Sequence, residues 1–421
     1  MNKQIVLLAA GLSSRFFPFN ADNHKSMFSV CGKPIIGWTL DGLKRLKADN
    51  VLVVISKEDT KIKEYLENYD GIKVKIAYQD EALGMGSAIL SVKKLLDDSF
   101  ILGFPHFVNE NVFREVSGLE AGGSGVGLLV NETDEPWKYG ILILDKNGEA
   151  TGIVEKPEKG KEPSNIKASG CYLLNGEFVE LLGKTPLSEY QFEAALDKFV
   201  KLKKVSLVKD KGALMPLKYP WDIAAIKDYI LKQMPEKKSA GSTVSDTATV
   251  RGKVVMGEDA KILDFALVEG PAYIGKNAVV GAYCILRDGS VLEEGAELER
   301  YADCTRSIIG SGSHLHSGFV GDSIIGSSVR MGAGFITANR RIDRNAVSVE
   351  VKSEKVSTGN SRVGVLMGNS VKTGINVSTM PGVIIGQGSV VGPMTCIMKN
   401  VPEKTLIYAE NTNRTRSLGN S

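Results

Sequence analysis

The chain has 421 residues, enough for two or three domains with sizeable cores. Its composition, 43% hydrophobic and 24% charged, is that of an ordinary globular protein, and a net charge of +3 without a basic block argues against a nucleic-acid-binding tail. No uninterrupted apolar run is long enough to cross a bilayer, and five scattered cysteines without CxxC spacing argue against a disulfide framework or a zinc site and for a reducing, cytoplasmic setting.

The first element is an apolar strand over residues 5–10, within the stretch IVLLAAGLSSR. That stretch admits two readings: the apolar part of a secretory signal, or a buried strand feeding a phosphate-binding turn in which backbone N–H groups and Arg15 face an anion. The chain then alternates. Helices are predicted over 35–48, 62–69 and 86–96, and strands over 51–55, 74–78 and 100–102. This grammar implies an α/β domain with a parallel sheet, whose ligands bind beyond the carboxyl ends of the strands. Hairpin-like pieces follow at 126–131 and 139–144, then a last helix over 221–234. The polar stretch 235–243 reads as a linker.

After the linker, Val244, Val250, Met256, Ile262, Val268, Ile274, Val280, Leu286, Leu292 and Leu298 recur every sixth residue. A period of six belongs to a solenoid of triangular coils, one inward aliphatic residue per side. The register breaks after Leu298, resumes at Ile325 and Met331, breaks over 337–361, and returns from Met367 to Ile397. The expected domains are 1–234 and 244–408, followed by a polar tail at 409–421.

These two halves, in this order, resemble the sugar-1-phosphate nucleotidylyltransferases that carry a C-terminal left-handed β-helix. The resemblance is greatest to bifunctional enzymes, archaeal in the spacing of the second site, that also N-acetylate an amino sugar 1-phosphate. It implies a Rossmann-like mixed-sheet domain followed by an all-β left-handed parallel β-helix. It also resolves the opening stretch as a nucleotide-binding turn: Leu8, Ala9, Ala10 and Gly11 would hold the triphosphate, with Ser13 where a second glycine is usual. A sugar-phosphate oxygen attacking the α-phosphorus of a nucleoside triphosphate needs positioning and charge neutralisation above all. The resemblance gives these roles to Arg15, on the leaving pyrophosphate, and Lys25, on the α-phosphate. Gln79 would read the base and Gly84 would let it approach the backbone. Gly140, Glu155 and Lys156 would hold the sugar.

Magnesium, a hard ion, needs oxygen ligands. The resemblance supplies Asp222 near the start of the last helix. Where the family has its other aspartate, the sequence reads FILGFPHFVNE, with Phe104 or Pro105 in that place. Ala168-Ser169-Gly170 also replaces the usual Asn-Ala-Gly. In the solenoid, HLHSGFVGD resembles the acetyltransferase motif H-x-x-Y-x-G-D. It implies His316 as general base, with Phe319 for the usual tyrosine and Asn339 as the asparagine that meets substrate or acetyl-coenzyme A. The lysines usual just after A-N-x-x-x-D are missing, and Arg340, Arg341 and Arg344 could hold the sugar phosphate instead. Acetyl-coenzyme A would be co-substrate, in a groove between coils, and the assembly a homotrimer. Two alternatives accompany this reading: an acetyltransferase with an impaired first domain, and a non-catalytic regulatory subunit.

Overall fold

The computed structural model describes residues 3–20, 24–81, 83–119 and 125–410; most of the expected polar tail lies outside them. Two compact units emerge. The first contains residues 1–14, 22–28 and 33–217, and the second contains 15–21, 29–32 and 218–421.

The first unit is built on a nine-stranded mixed sheet. In chain order its elements are β1 (Gln4–Ala9), α1 (Ile35–Arg45), β2 (Val51–Ser56), α2 (Thr60–Glu67), β3 (Val74–Gln79), α3 (Met85–Ser91), β4 (Ser99–Gly103), α4 (Asn111–Ser117), β5 (Gly127–Glu132), β6 (Gly140–Leu144), β7 (Ala150–Glu155), β8 (Ile166–Asn175), α5 (Gly176–Gly183), α6 (Gln191–Leu202) and β9 (Ser206–Lys209). The strand order is β9-β5-β8-β4-β1-β2-β3, and β6 pairs with β7 and touches β8. All six residues of β1 are buried, as expected of a strand covered on both faces. Val6 and Leu8 enter one core while Ile5, Leu7 and Ala9 enter the other, so the sheet separates two hydrophobic layers. Phe192, Ala195, Leu196 and Phe199 of α6 repeat at helical spacing and fill the first layer.

The sequence expectation holds best for the alternating elements up to β4. Helix α1 stops at Arg45, with Lys47 in the left-handed region at φ 54°. The helix expected over 86–96 is α3 plus a separate 3-10 turn, Lys93–Leu95. Of the two hairpin-like stretches, the second is one arm of an antiparallel hairpin, and the two do not pair with each other. Strand β8 lies against β5 in antiparallel register, and β6 finds its partner in β7.

The second unit is the solenoid, preceded by a 3-10 turn, Pro220–Asp222, and α7 (Ile223–Gln233). Its coils build three parallel sheets of eight, nine and eight strands. The register steps by 18 residues in the first coils, as in Val254↔Ala272, Lys261↔Val279 and Leu267↔Ile285. Residues Ile262 to Leu298 of the six-residue series are all fully interior. A second column, not anticipated from sequence, consists of small residues two positions earlier: Ala260, Ala266, Ala272, Ala278, Cys284, Ser290 and Ala296, all buried. They fit the narrow corners, which explains a buried cysteine without chemistry. Val250, in the end coil, is 40% exposed because no coil lies beneath it.

The break after Leu298 is a shortening of coils, not a loop: Val291 pairs with Ile308 and Asp303 with Phe319, steps of 17 and 16. The second break is an excursion containing the hairpin Ser348–Val351/Glu354–Ser357, after which Leu366 pairs with Ile324.

Candidate functional sites

In the first unit the predicted residues gather at strand ends and turns. Ala9 and Ala10 close β1, and Gly11 and Leu12 are exposed beyond it. Ser13 has φ 50°, so it occupies a left-handed position that glycine would adopt at less cost. Its Oγ accepts the backbone N–H of Lys25 at 3.1 Å, tying the two ends of the loop together. The Lys25 ammonium donates to the Leu217 carbonyl at 2.6 Å. Gln79 ends β3 almost fully buried, and its Nε2 has no hydrogen-bond partner. Such an orphan costs roughly 1–3 kcal/mol, which makes it notable at a strand end. Gly84 has φ 97°, and a Cβ there would meet the Glu189 carbonyl oxygen at 2.8 Å. Only glycine fits.

Gly140 and Glu155 face each other across the β6–β7 ladder, and a Cβ on Gly140 would stand 2.8 Å from the Glu155 carboxylate. Lys156 follows with φ 47°, its ammonium 2.7 Å from the Tyr190 hydroxyl. Two groups here escaped the sequence reading. Burial, with Glu155 nearby, raises the pKa of Glu193, and one of its oxygens is buried without a partner. Lys167 lies 4.2 Å over the Tyr139 ring, and burial lowers its pKa. Neither had a motif to announce it: Lys167 is placed by the pairing of β8, and Glu193 by the packing of α6.

The donor set does not fit a protein-held magnesium ion. Phe104 stacks on His106 at 5.6 Å and packs against Gly170, where a Cβ would meet its ring at 3.1 Å. Neither Phe104 nor Pro105, the two positions that the resemblance gives to the family's aspartate, carries a carboxylate. His106 is buried with Nδ1 unpartnered, and His24 is buried as well. Burial holds both imidazoles neutral, aided by the charge of Lys25, with the His24 pKa lowered to about 3. In the second unit, Asp222 is engaged as a cap: its Oδ2 accepts the N–H groups of Lys218 and Tyr219, each at 2.7 Å. Among the described residues no group of three or more His, Cys, Asp or Glu side chains could hold a metal ion. Arg15 also falls in the second unit, exposed.

Two of the predicted solenoid residues, Phe319 and Asn339, meet over one glycine. Phe319 points outward from the strand Gly318–Gly321, between Asp303 and Ile336 in the adjoining coils. A Cβ on Gly321 would meet the Phe319 ring at 2.7 Å and the Asn339 amide at 2.8 Å, so both side chains close over a glycine. Asn339 Nδ2 donates to Asp322 at 2.5 Å. His316 follows the strand His314–Leu315, more than half exposed, with Nε2 at 3.8 Å from Glu299. His314 is closer to the same carboxylate oxygen, at 3.1 Å. Glu299, missed from sequence, therefore serves both histidines. Arg287 forks onto Asp303 at 2.9 and 3.2 Å, placing a second arginine–carboxylate pair on this sheet. The three loop arginines are not drawn in. Arg340 and Arg344 are exposed, and Arg341 is paired with Asp343 at 2.6 and 2.9 Å, which holds that carboxyl well below the usual range.

Comparisons with known proteins agree with this architecture. Residues 4–236 match the nucleotidyl transferase family. The bifunctional sugar-1-phosphate nucleotidylyltransferase/acetyltransferase of Sulfurisphaera tokodaii is 32% identical over 94% of this chain and 97% of its own length. The bifunctional protein GlmU of Methanocaldococcus jannaschii is 31% identical over 96% and 97%. A solved UDP-glucose pyrophosphorylase from Acinetobacter baumanii, 22% identical, covers 55% of this chain and 95% of its own with a TM-score of 0.49. With a family match over more than half its length and a relative at 32% identity along nearly all of it, the chain belongs to the bifunctional sugar-1-phosphate nucleotidylyltransferase/acetyltransferases.

Proposed function

We propose that the protein makes a nucleotide-activated N-acetyl amino sugar. One reaction acetylates the amine of glucosamine (or galactosamine) 1-phosphate from acetyl-coenzyme A. The other joins the sugar 1-phosphate to a nucleotidyl group with release of pyrophosphate. The observation that carries the reading is the closure of Phe319 and Asn339 over Gly321, in a chain that matches bifunctional relatives along nearly all of its length.

In acetyl transfer, His316 takes a proton from the amino-sugar nitrogen as that nitrogen attacks the thioester carbonyl. The C–S bond then breaks and the thiolate leaves, to be protonated as free coenzyme A. Glu299 Oε2 lies 3.1 Å from His314 Nε2 and 3.8 Å from His316 Nε2. In nucleotidyl transfer, a phosphate oxygen of the sugar attacks the α-phosphorus and the bond to the β-phosphate oxygen breaks. Arg15 and Lys25 neutralise the charge that develops. Gly84 and Gln79 receive the base, and Gly140, Glu155 and Lys156 hold the sugar. No step is assigned to a metal on the protein.

The active assembly is a homotrimer in the cytoplasm. No described helix is long and apolar enough to cross a membrane. A second copy would cover the exposed Ile336 and the stacked rings of Phe265, Tyr283 and Tyr301, 5.0 and 5.3 Å apart. Light scattering at micromolar concentration should give three chain masses; a monomer would refute it.

The decisive experiment supplies glucosamine 1-phosphate, acetyl-coenzyme A and each nucleoside triphosphate, and assays thiol and pyrophosphate separately. Both products are expected. The phenylalanine at position 104 favours one second reading, an acetyltransferase with an impaired first domain; thiol release without pyrophosphate would establish it.

A further inference from the structure

At the corner between the third and first sheets of the solenoid, side chains from successive coils stack in one column. Asp288, Arg306 and Asp322 all turn the corner in the left-handed region, with φ of 54°, 50° and 50°. Arg306 is the hub. Its Nε and Nη2 fork onto Asp322 at 2.6 and 3.0 Å, and its Nη1 reaches Asp288 at 3.0 Å and the Thr305 hydroxyl at 2.9 Å. Asp322 in turn accepts Asn339 Nδ2 on the same oxygen that takes Arg306 Nη2.

The chemistry of this column fixes more than position. A side-chain amide has a donor end and an acceptor end, whereas an ionised carboxylate only accepts. Asp322, both of whose oxygens accept from the forked guanidinium, therefore compels Asn339 to offer its NH2 and to turn its carbonyl oxygen away. Without Asp322 the amide could flip. We propose that Arg306 and Asp322 are positioning residues for acetyl transfer, which hold Asn339 with its carbonyl oxygen outward as the acceptor for a substrate N–H. That N–H belongs either to the sugar amine, whose lone pair must be aimed at the thioester, or to an amide of the pantetheine arm. The inference rests on the acetyl-transfer reading above.

The structure also supplies a way to test it. Arg306 and Asp322 form part of the wall of a cavity of about 270 Å³, with Trp221, Ile324 and Arg362 among its other lining residues. Arg306→Ala would enlarge a space that a free guanidinium ion can enter to reach Asp322.

The experiment compares Arg306→Ala, Asn339→Ala and the double variant in the full-length protein, following thiol release. Each single change should lower acetyl transfer by about 10–10²-fold, the scale of a misplaced reacting group. The double variant should be no worse than the more impaired single. Millimolar guanidinium should restore much of the activity of Arg306→Ala and none of that of Asn339→Ala, a pattern a merely structural arginine would not give. A rise in KM for acetyl-coenzyme A identifies the pantetheine N–H; a fall in kcat with a raised KM for the amino sugar identifies the amine. Asp322→Asn, which keeps the shape but loses the charge, should be impaired without guanidinium rescue and covers the case that Arg306→Ala does not fold. Wild-type rates for folded Arg306→Ala or Asp322→Asn, beside an impaired Asn339→Ala, overturn the proposal. Losses that multiply in the double variant do so as well. An unimpaired Asn339→Ala would instead remove the role assigned to the asparagine itself.

Discussion

At the end of β1, no described atom lies within 4 Å of where a Cβ on Gly11 would stand, whereas on Gly321 it would collide with Phe319 and Asn339. The two glycines mark two ways of building a site. In the α/β unit the candidate residues lie on turns at strand ends, where local backbone demands are set by ligand approach as much as by packing. In the solenoid they stand at fixed positions on stacked coils, and their neighbours are 16 to 18 residues away because the coil repeats at that length. A site of the second kind is held by its own fold before any substrate arrives. It should be less forgiving of small changes in backbone and more forgiving of the loss of a loop contact.

The largest expected effect sharpens this contrast. His316→Ala should lower acetylation by at least about 10²-fold and leave the solenoid folded, since the imidazole is more than half exposed. His314→Ala should cost much less, although His314 is the nearer partner of Glu299. Thiol release with glucosamine 1-phosphate, alongside far-UV circular dichroism, checks both. An equal loss in the two variants would mean that the pair, and not one base, carries the step.

Lys25→Ala tests the other unit. It removes one cation from developing phosphate charge, and loss of one such stabilising contact costs about 10²-fold or more. It should lower pyrophosphate release on that scale while acetylation continues, because Lys25 lies in the first unit and His316, Phe319 and Asn339 in the second. If pyrophosphate release is unchanged, the role assigned to Lys25 on the phosphate is wrong.

How much of this was legible in the sequence follows the same division. The six-residue series announced the solenoid because each aliphatic residue meets an identical demand in every coil. The buried strands β1, β2 and β4 were legible because continuous apolar runs betray burial on both faces. What escaped depends on neighbours distant in sequence. Glu299, Asp303 and Arg306 look like solvated strand residues until coils of 16 to 18 residues set them beside His316, Phe319 and Asp322. The break after Leu298 could be read as a loop or as a coil irregularity, because shortened corners erase a period of six without interrupting the strands. Strand β8 was invisible because its two neighbours, β4 and β5, do not adjoin it in sequence. Arg341 fitted a sugar-phosphate role by position, yet Asp343, two residues on, already holds it.

The glycine pair gives a smaller but sharper test. Gly321→Ala forces the Phe319 ring and the Asn339 amide apart, so acetylation should fall by about 10-fold. Gly11→Ala meets no protein atom, so the melting transition should move by no more than about 1–2 °C. Any loss should appear only as a raised KM for the nucleotide. If Gly11→Ala destabilises the fold and Gly321→Ala is silent, the distinction between ligand-set and fold-set glycines is wrong.

The smallest effect concerns a buried acid that neither reaction uses. Glu293 sits inside the second unit, 2% exposed, with Oε2 accepting the Gly32 N–H at 2.9 Å and Oε1 without a partner. Burial pushes its pKa up from 4.5 to about 7 against the opposing pull of two backbone N–H groups, those of Gly32 and Cys31. The neighbouring Cys31 thiol and Tyr273 hydroxyl have raised pKa values too, so neither supplies a countercharge, while Lys227 and Asp228 act on Cys31 with opposite signs. The folded protein therefore holds a proton that the unfolded chain releases. The stabilisation linked to that proton is complete below about pH 4.5 and is lost as pH rises from there through about 7. A shift of this size corresponds to about 3 kcal/mol between the two limits, less whatever relaxation brings water to Oε1. Glu293→Gln removes the proton from the balance while its side-chain oxygen can still accept from Gly32. At pH 8 the variant should melt a few degrees above the wild type, and at pH 5 the two should differ little, since the wild-type carboxyl is then already neutral. Calorimetric scans of both full-length proteins at pH 5, 6.5 and 8 measure this. A constant difference across the range would show that Glu293 is ionised throughout, with the Gly32 and Cys31 N–H groups enough to keep a buried carboxylate charged at neutral pH.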